Sequence, residues 1–165
     1  DIAIKMLKNN IFYFIVILSI FLLDRISKIL IVNISEEIRN NEIYQSKFLN
    51  FQLIWNEGIA FGLLSFENDF IYHSISLLIT LIILILIIML IKSKNVEKIG
   101  FALISGGAIG NLFDRIMFKS VPDFIDFHVN NFHWFIFNIA DIFITIGVLW
   151  LILAEFFVKK KYETN

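Results

Sequence analysis

The stretch FIYHSISLLITLIILILIIMLI, running from Phe70 to Ile91, decides how the rest of the chain is read. It contains no Asp, Glu, Lys or Arg and matches the roughly 20 residues an α-helix needs to cross a bilayer. Outward from it, three further apolar runs meet the same length: Ile11 to Val32, Ile99 to Phe118, and Trp134 to Val158. Over the 165 residues 58% are apolar, including 19 Phe, with a mean hydropathy of +0.80. A water-soluble domain of this size cannot bury that much apolar surface. The expected fold is a membrane all-α core of four transmembrane helices in a single domain, residues 1–165. The net charge of −1 supplies no basic field, so no nucleic-acid partner is expected. Without Cys, disulfides, thiol nucleophiles and thiolate metal sites are excluded.

Basic residues orient the spans. Lys5 and Lys8 precede the first, Lys92, Lys94 and Lys98 lie between the second and third, and Lys159, Lys160 and Lys161 follow the fourth. The opposite side, residues 33–69 and 119–133, has only Arg39, Lys47 and Lys119, which makes it the exterior and puts both termini in the cytoplasm. Residues 1–23 have the basic start and apolar body of a secretory signal. Asp24 and Arg25 stand where a small-residue cleavage site belongs, so we expect an uncleaved anchor, with Met6 a candidate initiator.

In the exterior segment 33–69, Leu49, Phe51, Leu53 and Trp55 alternate with Asn50, Gln52, Ile54 and Asn56, the period of a half-buried strand. Ile125, Phe127 and Val129 alternate with Asp126, His128 and Asn130 in the same way. The two strands are expected to pair into a small extracytoplasmic β platform on the membrane surface.

The spans other than Phe70–Ile91 carry polar groups, and these agree in depth. At 1.5 Å per residue, Asp24 lies about 20 Å along the first span from its cytoplasmic start, and Asn111 and Asp114 lie roughly 20 and 24 Å along the third. Asn138 and Asp141 fall within about 10 Å of the exterior start of the fourth. Asn111, Asp114 and Arg115 share one helix face, as do Asn138, Asp141 and Thr145, and Asp24 and Lys28 stand four apart in the order that favours pairing. An ionisable group at such depth costs several kcal/mol unless partnered, which marks these residues as functional candidates. The structural alternative is that Asp114 with Arg115, and Asp24 with Lys28, are ion pairs locking helices together. Gly106 and Gly110 form a G-x-x-x-G step, read as close helix packing.

Asp141 has no Lys or Arg near it in sequence, and Asp123, in the loop before the second strand, is the candidate to share a proton with it. Two carboxylates close together in low dielectric do not both ionise cheaply: one stays protonated while the other acts as a base. His128 and His133, with Asp123 and Asp126 nearby, offer an alternative as metal ligands, but there is no H-E-x-x-H helix and no metal is expected. Ser27 and Lys28 are adjacent and face different ways on a helix, which argues against a Ser-Lys protease.

Five segments stand in a recognisable order: Asp24-Arg-Ile-Ser-Lys28, Asn56-Glu-Gly-Ile-Ala-Phe-Gly62, Gly106-Gly-Ala-Ile-Gly-Asn-Leu-Phe-Asp-Arg115, Val121-Pro-Asp-Phe-Ile125 and Phe137-Asn-Ile-Ala-Asp141. In order and spacing, over essentially the whole chain, they resemble the bacterial lipoprotein signal peptidases, signal peptidase II. The resemblance implies a four-helix membrane aspartyl peptidase that removes signal peptides from diacylglyceryl-modified prolipoproteins, cutting just before the lipidated Cys. It puts the catalytic pair on Asp123 and Asp141. Supporting and substrate-binding roles fall on Asp24, Lys28, Asn56, Gly58, Asn111, Asp114, Arg115, Asn138 and Ala140. The expected partners are lipid-modified prolipoproteins and membrane lipid, with no cofactor, a monomeric state, and a location in the bacterial plasma (inner) membrane with the active site near the outer leaflet. Two positions depart from the family pattern: Arg25, where Gln is frequent, and Pro122, where an aliphatic residue is usual. A competing reading is a proton or ion transporter, which requires polar residues at successive depths; another is an assembly protein with helix-locking polar pairs.

Overall fold

A computed structural model describes residues 2–59, 64–65, 69–93, 95–130 and 132–163. Four helices and six short strands follow in the order α1 (Ile2–Ile38), β1 (Glu42–Tyr44), β2 (Leu49–Asn56), β3 (Gly58–Ile59), β4 (Leu64–Ser65), α2 (Asp69–Lys92), α3 (Asn95–Phe118), β5 (Val121–Val129), β6 (Phe132–Phe137) and α4 (Ile139–Glu163). Ala60, Phe61 and Gly62, which end the expected Asn56–Gly62 turn, lie outside the described residues, as does Lys94.

Helix α3 is central and packs against α1, α2 and α4. Its small residues permit close approach. A Cβ at Gly106 would lie 2.9 Å from Ile20 Cβ on α1, and one at Gly107 would lie 2.5 Å from the Ala140 carbonyl oxygen on α4. Tyr13, Ile17, Leu90, Phe101 and Ala102 form an apolar core between α1, α2 and α3. The outward faces are apolar too: Leu18, Leu22 and Ile26 on α1, Leu77, Leu84 and Ile85 on α2, and Leu149, Leu153 and Phe156 on α4 are all exposed. Tyr72–Lys92 and Ile139–Phe156 are each long and apolar enough to cross a membrane, and only 11% and 17% of their apolar windows are buried, so neither is the core helix of a soluble protein.

Helix α1 extends beyond the expected Ile11–Val32 at both ends. Arg39 stops it, adopting φ 52° while its N–H donates to Glu36 O and that of Asn40 donates to Ser35 O, the paired bonds of a Schellman ending. The fourth helix starts later than expected. Trp134 to Phe137, assigned from sequence to the span, belong to strand β6, and α4 begins only after Asn138.

Strands β2 and β5 pair antiparallel as expected, from Leu49↔Phe127 to Asn56↔Val121, within a four-stranded sheet of order β1-β2-β5-β6. Pro122 sits opposite Trp55 near the start of β5, before the pairing with β6 begins at Ile125, so its missing N–H falls where the strand has one neighbour rather than two. Lys119, at φ 58° just past α3, makes the reversal that feeds the chain into β5.

Candidate active site

Strand β5 delivers Asp123 and helix α4 delivers Asp141, and Asn138, the residue between β6 and α4, holds both. Asn138 is the N-cap of α4: its Oδ1 accepts the Asp141 N–H at 3.1 Å while its own N–H donates to Asp141 Oδ2 at 3.2 Å, a reciprocal capping pair. The Asn138 side-chain amide turns the other way, donating from Nδ2 to Asp123 Oδ1 at 2.6 Å. Asn56, at the end of β2, donates to the second Asp123 oxygen at 2.8 Å, and its Oδ1 accepts the Gly58 N–H at 2.9 Å, closing a turn. Asn111 on α3 donates to Asp141 Oδ1 at 2.8 Å. Among the described residues, every hydrogen bond to either carboxylate comes from an amide.

Asn111 links this pair to a second group of charges. Its Oδ1 accepts from Lys28 Nζ at 2.9 Å, and Lys28, fully buried, completes its three donations with Asp24 Oδ2 and Asp114 Oδ2, both at 2.7 Å. Asp24 uses its other oxygen to accept the Ala140 N–H at 3.0 Å, in the first turn of α4, where the helix dipole favours an anion. Gly110 leaves room for that carboxylate, since a Cβ there would lie 2.5 Å from Asp24 Oδ2; this glycine serves the polar site as well as helix packing.

Arg115 does not pair with Asp114, the alternative open from sequence. It donates to Gly58 O at 3.1 Å and to Asn111 O at 3.3 Å, joining α3 to the turn after β2. Asp114 pairs instead with Lys28 and with Arg25 Nη1, whose guanidinium carbon also lies 4.9 Å from the centre of the Phe113 ring. Sequence reasoning missed Arg25 as a partner because the residue it neutralises is on another helix. It also missed Tyr72, whose hydroxyl donates to Arg115 O. A Tyr at the exterior end of an apolar span that has no charged residue was the available signal.

The residues assigned from sequence therefore converge: Asp24, Lys28, Asn56, Gly58, Asn111, Asp114, Arg115, Asp123, Asn138, Ala140 and Asp141 form one connected set. Asn56, Asn111, Arg115, Asp123, Asn138 and Asp141 line a cavity of about 380 Å³, whose apolar wall includes Ile79, Ile144, Val148 and Leu149. A second cavity of about 350 Å³, walled by Trp134, Phe135, Phe137 and Ile146, also reaches Asp141 and Thr145. Burial, and then the nearby Asp141, push the Asp123 carboxyl up to about 6, against the opposing pull of the Asn56 and Asn138 amides and of Lys28.

The profile of the Signal peptidase (SPase) II family matches residues 16–157. The chain belongs to the signal peptidase II family. Among curated members, the lipoprotein signal peptidase of Pelagibacter ubique is 52% identical over 96% of this chain and 95% of its own length. Those of Aquifex aeolicus and Francisella tularensis subsp. novicida are 40% and 39% identical, over 89% and 95% of this chain and 87% and 99% of theirs. Two solved structures, each described as a bacterial membrane enzyme, superpose with TM-scores of 0.73 and 0.69 at 26% and 28% identity, covering 93% and 86% of this chain and 91% and 90% of the other. Membership makes the chain a peptidase of lipoprotein maturation, and the apolar outer faces of α2 and α4 are consistent with a membrane protein.

Proposed function

We propose that this family member is an intramembrane aspartic endopeptidase that cuts diacylglyceryl-modified prolipoproteins just before the lipidated Cys, with Asp123 and Asp141 as its catalytic pair. The observation that carries the reading is the contrast in how the carboxylates are held. Asp24 and Asp114 each meet a cation, whereas Asp123 and Asp141 meet amides on the wall of one cavity. Among the described residues of the layer, Asp24, Asp114, Asp123 and Asp141 face the cations Arg25, Lys28 and Arg115, leaving one negative charge in excess. One proton on the Asp123–Asp141 pair neutralises it, which is the protonation state acid–base proteolysis requires.

The ionised member takes a proton from water as that water attacks the scissile carbonyl, and the protonated member hydrogen-bonds the carbonyl oxygen, so no covalent intermediate forms. Asn56, Asn111 and Asn138 orient the two acids. Arg115, lining the cavity with both acids, faces the charge that develops on the substrate. Asp24, Lys28, Asp114 and Arg25 are positioning residues beneath them, and Ala140 supplies a backbone donor to Asp24 while its carbonyl packs against Gly107. All four helices span the bilayer as one domain, with both termini cytoplasmic and the sheet on the outer surface of the bacterial plasma membrane. The cavity's apolar wall suits acyl chains that must stay in lipid while the bond beside them is cut. The protein works as a monomer without a cofactor.

A transporter is less well supported, because the apolar core of Tyr13, Ile17, Leu90, Phe101 and Ala102 lies on the cytoplasmic side of the polar layer and interrupts any polar path among the described residues. The test is to incubate the protein, reconstituted in vesicles, with a diacylglyceryl-modified prolipoprotein and weigh the products by mass spectrometry. The expected products are the intact signal peptide and a polypeptide beginning at the lipidated Cys. Equal processing by Asp123→Asn or Asp141→Asn refutes the assignment.

A further inference from the structure

Hairpin β5–β6 carries a second cluster of ionisable side chains that the peptidase reading does not use. Asp126 and His128 stand two apart on β5 and share one face, and His133 on β6 lies directly across from His128. Asp123, an odd number of positions from both, faces the other way. Asp126 is fully buried and His128 nearly so, while His133 is half exposed. The His133 Nδ1 lies 2.9 and 3.0 Å from the two Asp126 oxygens, and the His128 Nδ1 lies 4.0 Å from the nearer one. The imidazole rings are stacked, with centres 4.8 Å apart.

One atom in this cluster is unexplained. His128 Nδ1 is buried, points toward the Asp126 carboxylate, and makes no hydrogen bond among the described residues. A buried ring nitrogen without a partner costs free energy that native structures normally avoid, so it calls for a ligand. The three side chains can each offer one ligand atom, all within 4.8 Å of one another. Tetrahedral zinc holds its ligands about 3.3 Å apart at bond lengths near 2.0 Å, so binding draws the three atoms together and turns the stacked imidazoles toward a common point.

We propose that Asp126, His128 and His133 form a site for a borderline divalent cation of the zinc type, bound by His128 Nδ1, His133 Nδ1 and one Asp126 oxygen, with water completing the shell. Two imidazoles and a single carboxylate favour zinc over magnesium or calcium, which demand more oxygen ligands. Asn50 Nδ2, 3.1 Å from Asp126 Oδ2, orients the carboxylate from the neighbouring strand, as outer partners of metal ligands do. The exposed edge of His133 is the way in. The bound cation ties β5 to β6 across the hairpin whose two ends carry Asp123 and Asn138, so it stabilises the folded state without touching the cavity.

The experiment uses the tag-free full chain in detergent micelles, stripped with chelator and titrated with Zn2+ by calorimetry, with thermal unfolding read in parallel. The expected result is one Zn2+ per chain and a raised Tm, with no response to Mg2+ or Ca2+. His133→Ala, at a half-exposed position, should weaken binding by at least about ten-fold and abolish the Tm response. His128→Gln should do the same, and Co2+ should give tetrahedral visible absorption in the native chain but in neither variant. Asp123→Asn should bind Zn2+ like the native chain, which separates this site from the peptidase pair. Absence of saturable Zn2+ binding, or an undiminished response in either histidine variant, overturns the proposal.

Discussion

Two pairs of acids share one hydrogen-bonded network and receive opposite treatment. Asp24 and Asp114, both fully buried, are clamped by the cations Lys28 and Arg25. Asp123 and Asp141, one residue of the network further out, are fixed by amides that orient a carboxylate without neutralising it. Cations make a carboxylate part of the scaffold, whereas amides hold it in place and leave its proton mobile. The same residue type is thus paired with cations on one side of Asn111 and, on the other, held by amides as the proposed chemistry needs.

The contrast breaks if the two pairs respond alike to substitution. The largest expected effect is on turnover. Asp123→Asn or Asp141→Asn should lower the rate of prolipoprotein processing by on the order of 10³ or more, measured as single-turnover rates in vesicles, while the protein still purifies as a folded species. Lys28→Met should do the reverse. It leaves Asp24 and Asp114 buried without their shared cation and should cost about 3–5 kcal/mol of stability, seen as loss of folded protein in a thermal unfolding assay. Gly110→Ala sharpens the same point more gently. A methyl group against the Asp24 carboxylate should destabilise by about 1–3 kcal/mol, readable as a lowered Tm, and native-like stability would mean that the polar cluster has slack.

The smallest effect is on pH. With the Asp123 carboxyl pushed up to about 6, loss of the pair's last proton is expected to set the alkaline limb of activity. The Asn56 amide holds that value down, so Asn56→Ala should move the limb to higher pH by up to about one unit, checked by a pH–rate profile of both forms. The sign for stability follows from the same shift. Asp123 titrates higher in the fold than its ordinary 3.8, so its contribution is fully present below that value and is lost as pH rises through about 6.

Much of this site was legible in the chain. Polar residues spaced three and four apart on long apolar helices have few places to go but toward one another, and Asp24 with Lys28, or Asn111 with Asp141, meet as their depths required. What misled was adjacency. Asp114 and Arg115 are neighbours in sequence but lie about 100° apart around a helix, so they reach different partners. Arg25 was passed over for the mirror reason, its partner being 89 positions away. Trp134 to Phe137 read as helix because a continuous apolar run carries no period that separates a strand from a membrane span, and only Asn138, with Asp141 three residues on, marked the true start. The short strands β1, β3 and β4 have too few residues to show any period.

Asn138 bonds to both acids and also caps α4, so the helix and the proposed catalytic pair have a common starting point. A chain whose last helix has not begun at that residue has its acids on unconnected segments. On the catalytic assignment proposed above, forming the start of α4 is therefore also the event that brings both acids under one hydrogen-bonding residue.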